Sequence, residues 1–175
     1  MLILEIIGGL ILLVLLAAAF SPTNWSIKTD IVIDKTAQEV YNYVKMLRNS
    51  EQYNKWVMTD PTMKKEFRGT DGTVGSVYCW DCANKSVGKG EQEIMQLKEG
   101  ERVDYEIRFI KPFPGISPAS IIMESISANQ TKVTWTFSSS NTYFLKIMHV
   151  LMNLKKILTK DLQTSLTNLK TILEK

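Results

Sequence analysis

The sequence predicts an α+β domain in which a seven-stranded antiparallel sheet is covered on one face by a long C-terminal helix, with an apolar helix ahead of it. Three patterns predict this. From Thr62 to Ser139 apolar and polar residues alternate with a period of two. From Tyr143 to Leu173 leucines and isoleucines recur at spacings of three and four. Residues 2–20 are apolar or small apart from Glu5. A composition of 45% hydrophobic and 22% charged residues belongs to a globular chain and excludes disorder. Two cysteines and one histidine exclude a disulfide scaffold and leave too few ligands for a structural zinc site, so neither a metal nor a cofactor is expected.

Taken as a helix at 1.5 Å per residue, residues 2–20 measure about 28 Å, close to the ~30 Å hydrocarbon core of a bilayer. Trp25 then falls where an interfacial aromatic would sit. A cleaved signal peptide is the competing reading: Ala17, Ala18 and Ala19 offer small residues to a peptidase, but no Lys or Arg supplies a positive n-region. The expected division is an anchor or signal segment over 1–22 and a ligand-binding domain over 23–175. Lys28 and Lys35 follow the segment and no basic residue precedes it, which places the domain in the cytoplasm; cleavage would leave it secreted or periplasmic.

The first strand runs from Trp25 to Asp34. Thr36-Ala37-Gln38-Glu39 is a capping box, in which the Thr hydroxyl and the Glu carboxylate each satisfy a free amide at a helix start. Val40, Tyr43, Val44 and Leu47 give that helix its apolar face. Ser50 caps a second short helix through Trp56, and Asp60-Pro61 stops it. Six further strands are expected near 62–68, 75–81, 85–97, 101–110, 118–128 and 131–139, with Gly69-Thr70-Asp71-Gly72, Glu99-Gly100-Glu101 and Ala128-Asn129-Gln130 at turns. Val103, Tyr105, Ile107 and Phe109 share one face against Asp104, Glu106 and Arg108, the pattern of a sheet covered on one side only. A single helix of 31 residues, Tyr143 to Leu173, is the expected cover.

This order resembles the START-like superfamily, also called SRPBCC, and within it the polyketide cyclase/dehydrase and lipid-transport branch. The resemblance spans residues 25–175. It rests on Ala37-Gln38-Glu39-Val40, Tyr53 with Trp56, Val74-Gly75-Ser76-Val77-Tyr78, Gly88-Lys89-Gly90-Glu91-Gln92, Thr131-Lys132-Val133-Thr134-Trp135 and Leu166-Thr167-Asn168-Leu169-Lys170. It implies a helix-grip fold, in which the curved sheet wraps the long helix around an apolar cavity, and a ligand drawn from sterols, lipids, quinones, hormones or polyketides.

A bent sheet and a straight helix cannot close along their full length, and pockets of this kind are mostly apolar with a few orienting polar groups. By alternation the candidate lining residues are Tyr105, Phe109, Met123 and Trp135, with Trp56 and Trp80 near the ends. Met148, Leu151 and Met152 would face them from the helix, and Gln92 is the polar candidate. The bland reading of each is plain core. Lys111 to Pro118 reads as a proline-stiffened loop that would rim the mouth through Phe113 and Ile116. Cys79 and Cys82 form a C-x-x-C, but on a strand an offset of three sends the thiols to opposite faces. His149 is the one histidine, a nucleophile motif such as G-x-S-x-G is absent, and no catalytic residue is assigned.

Between Ser21 and Thr142, 15 basic residues balance 15 acidic ones, so the excess of +3 lies beyond Tyr143, in Lys146, Lys155, Lys156, Lys160, Lys170 and Lys175. These lysines serve solubility or an anionic membrane surface; no basic patch interleaved with aromatics speaks for nucleic acid. The expected function is a membrane-tethered protein that binds a small apolar ligand (a lipid, quinone or polycyclic, polyketide-like molecule), the membrane contact being residues 2–20. The rivals are a polyketide cyclase/dehydrase-type enzyme and a regulatory protein-interaction domain with a vestigial cavity.

Overall fold

Alternation along each strand becomes a sheet whose two faces differ in chemistry. A computed structural model describes residues 2–84, 86–140 and 143–175. Helix α1 (Leu2–Phe20) leads into β1 (Asn24–Ile33) and α2 (Ala37–Val44). A 3-10 turn (Leu47–Asn49) and the single-turn helices α3 (Ser50–Tyr53) and α4 (Lys55–Met58) follow. The meander is β2 (Lys64–Arg68), β3 (Val77–Asp81), β4 (Lys89–Lys98), β5 (Arg102–Lys111), β6 (Gly115–Ser127) and β7 (Gln130–Ser140). Helices α5 (Tyr143–Met152) and α6 (Leu154–Leu173) close the chain. The seven strands pair antiparallel in the order β1-β7-β6-β5-β4-β3-β2. The sheet is open, and its concave face grips α6.

Register puts Ile27 opposite Phe137, Thr29 opposite Trp135, and Gln92 between Tyr78 and Ile107, so the odd-numbered positions of β1, β5, β6 and β7 share the concave face. The core there is Ile33, Ile94, Val103, Ile121 and Val133, with Val40 and Val44 from α2 and Leu162, Leu166 and Leu169 from α6. The capping box at Thr36 is formed: Glu39 N donates to Thr36 Oγ1, and Thr36 N to the Glu39 carboxylate. At the far end of α2, Tyr105 donates its hydroxyl to the Val44 carbonyl at 2.9 Å, which satisfies a helix-end acceptor inside the core.

The convex face carries ion pairs. Arg108 binds Glu91, Glu106 and Glu93 at 2.6–2.7 Å, and Arg68 also meets Glu91. Cross-strand pairs of this kind stabilise a half-exposed sheet face modestly.

Two expectations are corrected. The predicted single C-terminal helix is broken at Asn153, which takes a left-handed conformation (φ 49°) while its side chain accepts from Lys156 N. Asparagine tolerates that region better than other non-glycine residues. The leucine spacing runs on through the break because both helices bury an apolar side, α6 on the sheet and α5 on α1. Likewise the helix expected from Ser50 to Trp56 is two single turns, parted by the extended backbone of Asn54, whose Oδ1 accepts from Trp56 N at 3.1 Å.

Two outcomes follow from this packing. Leu166→Ala is expected to lower unfolding free energy by about 2–5 kcal/mol in urea titration, since the side chain is fully buried. Hydrogen bonding from Arg108, chiefly, holds the Glu91 carboxyl below its usual value of 4.5. A carboxylate lowered on folding adds stability above its unfolded pKa and loses it as pH falls through the folded one. The urea midpoint should therefore drop from pH 7 to pH 3, and Arg108→Met should lower the midpoint at pH 7 and flatten that drop.

Candidate ligand cavity

Where α6 rises off the sheet, a space remains. Leu162, Leu166 and Leu169 sit against β1, but Leu158, one turn nearer the N-terminus of α6, is half-buried and borders a cavity of about 160 Å³. The other walls are Trp56 and Val57 of α4, Asn54 and Met63 on either side of it, and Tyr78, Trp80, Ser86, Val87, Gln92, Ile107 and Phe109 from the sheet side. Among the described residues, no charged side chain lines it. A smaller cavity of about 70 Å³ lies beyond, bounded by Ile27, Trp135, Phe137 and Leu162, and it shares Asn54, Trp56, Gln92, Ile107 and Leu158 with the first.

Polar contacts with α6 hold α3 and α4, and with them Trp56, at this height. Lys55 N donates to Ser165 Oγ at 3.0 Å, Asn168 Nδ2 donates to the Tyr53 carbonyl at 3.2 Å, and the Lys55 ammonium pairs with Asp161. Opposite them, rings follow one another across the concave face. Tyr78 stacks on Trp80 (6.2 Å), Trp80 meets Phe109 edge-on (6.3 Å), Phe109 meets Phe137 (6.5 Å), and Phe137 meets Trp25 (5.7 Å). Gly90 makes the Trp80–Phe109 contact available. It stands between those two residues in the register, and a Cβ there would lie 2.5 Å from Trp80 Cζ2 and 2.6 Å from the Arg108 carbonyl. Gly88 adopts φ +66°, and a Cβ there would meet the Lys111 carbonyl at 2.1 Å.

The polar groups are few. Gln92 makes no side-chain hydrogen bond among the described residues, so both ends of its amide are available to a guest, whereas Asn54 Oδ1 is already committed to Trp56 N. Burial raises the pKa of Tyr78, whose hydroxyl is buried with no hydrogen-bond partner among the described residues. It stays neutral at any physiological pH.

Of the lining residues the sequence suggests, Trp56, Trp80, Gln92 and Phe109 border the larger cavity, and Trp135 borders the smaller one. The others are placed elsewhere. Tyr105 and Met123 are core residues, 3% exposed, the first engaged with α2. Met148, Leu151 and Met152 ride on α5, which leaves the sheet at Asn153, so none of them faces the cavity. The expected rim loop is shorter than predicted: β6 begins at Gly115, and Ile116 stands exposed on the strand instead of gating a mouth. Cys79 lies on the convex face beside Arg68 and Glu91, while Cys82 is buried and donates to Asp60 at 3.4 Å. The His149 side chain lies outside the described residues.

Sequence reasoning missed Tyr78, Ile107, Phe137 and Leu158, although each shares strand or helix spacing with a residue it did select. Nothing in the sequence marks Asn54 or Met63.

No protein-family model matches the chain, and no curated protein matches it. Solved structures do. A norcoclaurine synthase from Thalictrum flavum, in complex with dopamine and hydroxybenzaldehyde, superposes with a TM-score of 0.64 at 10% identity over 90% of each chain. The chain has the helix-grip fold. A structural-genomics protein from Chromobacterium violaceum matches with a TM-score of 0.61 at 17% identity, over 86% of this chain and 97% of that one. The Aha1 dimer from Colwellia psychrerythraea matches with a TM-score of 0.58 at 16% identity, over 83% and 93%. At such identities the likeness is one of fold, and a fold alone does not fix a function.

Gly90→Ala tests the wall. It should displace the Trp80 indole, shift the tryptophan emission and lower stability by about 1–3 kcal/mol. Unchanged emission and stability would mean that the ring contact across β4 does not shape the cavity.

Proposed function

We propose that this chain is a membrane-tethered binding protein that holds a small apolar ligand between α6 and the sheet without transforming it. The observation that carries the reading is the 160 Å³ cavity, walled by Trp56, Trp80, Phe109, Ile107 and Leu158 with Gln92 free within it. An apolar cavity of about 150 Å³ takes up a benzene-sized guest. The volume therefore favours a single ring or a short acyl segment over the polycyclic ligand that the family resemblance suggests. The two single-ring compounds in the synthase complex are of that size class. Gln92 supplies a hydrogen bond that would orient the guest, and the lining offers no carboxylate, imidazole or amine among the described residues for chemistry on it.

Support for the tether is the exposure of α1. The window Ile3–Phe20 has a mean hydropathy of 2.7 and is only 6% buried. Apolar side chains left this bare need an acyl-chain solvent or a peptidase that removes them. The tether reading includes a domain on the cytoplasmic side, for which Lys28 and Lys35 speak.

Native mass spectrometry of the full chain in mild detergent tests the binding. A co-purifying neutral molecule at unit stoichiometry, lost from Trp80→Ala, is the expected result. An unliganded mass that persists after incubation with host lipid extract would contradict the reading and turn attention to a protein partner. Alkaline carbonate separately tests the tether: the chain should stay with the membrane pellet.

A further inference from the structure

The break at Asn153 sends α5 away from the sheet and onto α1. Helix α1 is bare along most of its length, with exposure reaching 87% at Phe20, yet Ala18 is fully covered and Val14 half-buried. The element packed against it is α5. Small residues such as alanine allow helices to approach closely at such a contact.

This contact constrains where α5 lies. If α1 spans a bilayer, Val14 sits six residues inside Phe20, about 9 Å below the point where the chain leaves the helix. A helix covering Val14 and Ala18 is then below that level too. The composition of α5 suits this, for Tyr143–Met152 is apolar apart from Lys146 and His149. At about 15 Å it matches one leaflet. Val150, Leu151 and Met152 are 40%, 61% and 50% exposed, an apolar surface on the helix packed against α1. Immediately past the break, Lys155 and Lys156 are exposed, and Val150 and Lys155 border the same recess as Ser21, Pro22 and Asn24. The exit of α1 and the start of α6 thus stand at one level, with lysines where anionic head groups would be.

We propose that α5 is a second membrane-inserted element, seated beside α1 in the same leaflet with Lys155 and Lys156 at the head groups. The proposal rests on the tether reading. Its consequence is that Leu158, on the wall of the cavity, lies about one helical turn from the bilayer surface.

The test is hydrophobic photolabelling of the unaltered full chain in phosphatidylcholine–phosphatidylglycerol vesicles. A carbene reagent dissolved in the acyl chains is activated, and the label is located by peptide mass. Residues 145–152 should be labelled as heavily as residues 3–20, with α6 beyond Thr159 unlabelled. Label on α1 but not on α5 would overturn the proposal and leave the tether standing, as it would if a second protein covered α5. Label on neither would remove the tether, and the proposal with it.

Discussion

The seat of α6 against β1 sets the height of everything else on the concave face. Leu162, Leu166 and Leu169 are buried there, each stabilising the fold by about 1.5–3 kcal/mol through the apolar area it removes from water. In the last turn of α6, Lys170 Nζ donates to the Val32 carbonyl at 2.7 Å, and at its C-cap Glu174 accepts from Asp34 N at 2.6 Å, which fixes the helix at the β1 edge of the sheet. A straight helix fixed at one end of a curved surface stands off from it at the other. The contacts of Ser165, Asn168 and Asp161 across to Lys55 of α4 and Tyr53 of α3 then prevent Trp56 from falling into the gap. The cavity is what remains between a seated helix, a strut and the aromatic wall.

Most of the fold was legible because its signals are local and periodic. Two-residue alternation from Lys64 to Ser140 and the capping box at Thr36 each have a mechanism that acts within a few residues. The break at Asn153 was not legible, because a leucine stripe reads the same whether its residues face one surface or two. That single φ value moved Met148, Leu151 and Met152 from the cavity to the side of α1. Alternation likewise identified which residues face inward without telling which of them find a solid neighbour. Tyr105 and Phe109 share a face, but Tyr105 lies under α2 and Phe109 under open space.

Glycine at position 90 shows how sequence detail shapes a cavity wall. A side chain there would press on the Trp80 indole, which meets Phe109 edge-on, and so disturb the run of rings from Tyr78 to Phe137 along the wall. Aromatic contacts of this kind add about 0.5–1.5 kcal/mol each beyond their buried area, so the wall is stiff before any ligand arrives. A preformed apolar wall with one uncommitted amide, Gln92, favours a neutral guest with a single polar group. The cluster of ion pairs around Arg108 lies on the sheet's other face, away from the cavity.

The claim on which this account turns is that the space between Leu158, Trp56, Trp80 and Phe109 is an open, apolar chamber. Crystals of the full chain pressurised with xenon test it most directly, since xenon settles in dry apolar cavities and not in packed cores. The account predicts a xenon peak among those four side chains, weakened in Gly90→Ala. A packed interior with no peak there, the Trp56 indole lying against Ile107, would contradict it.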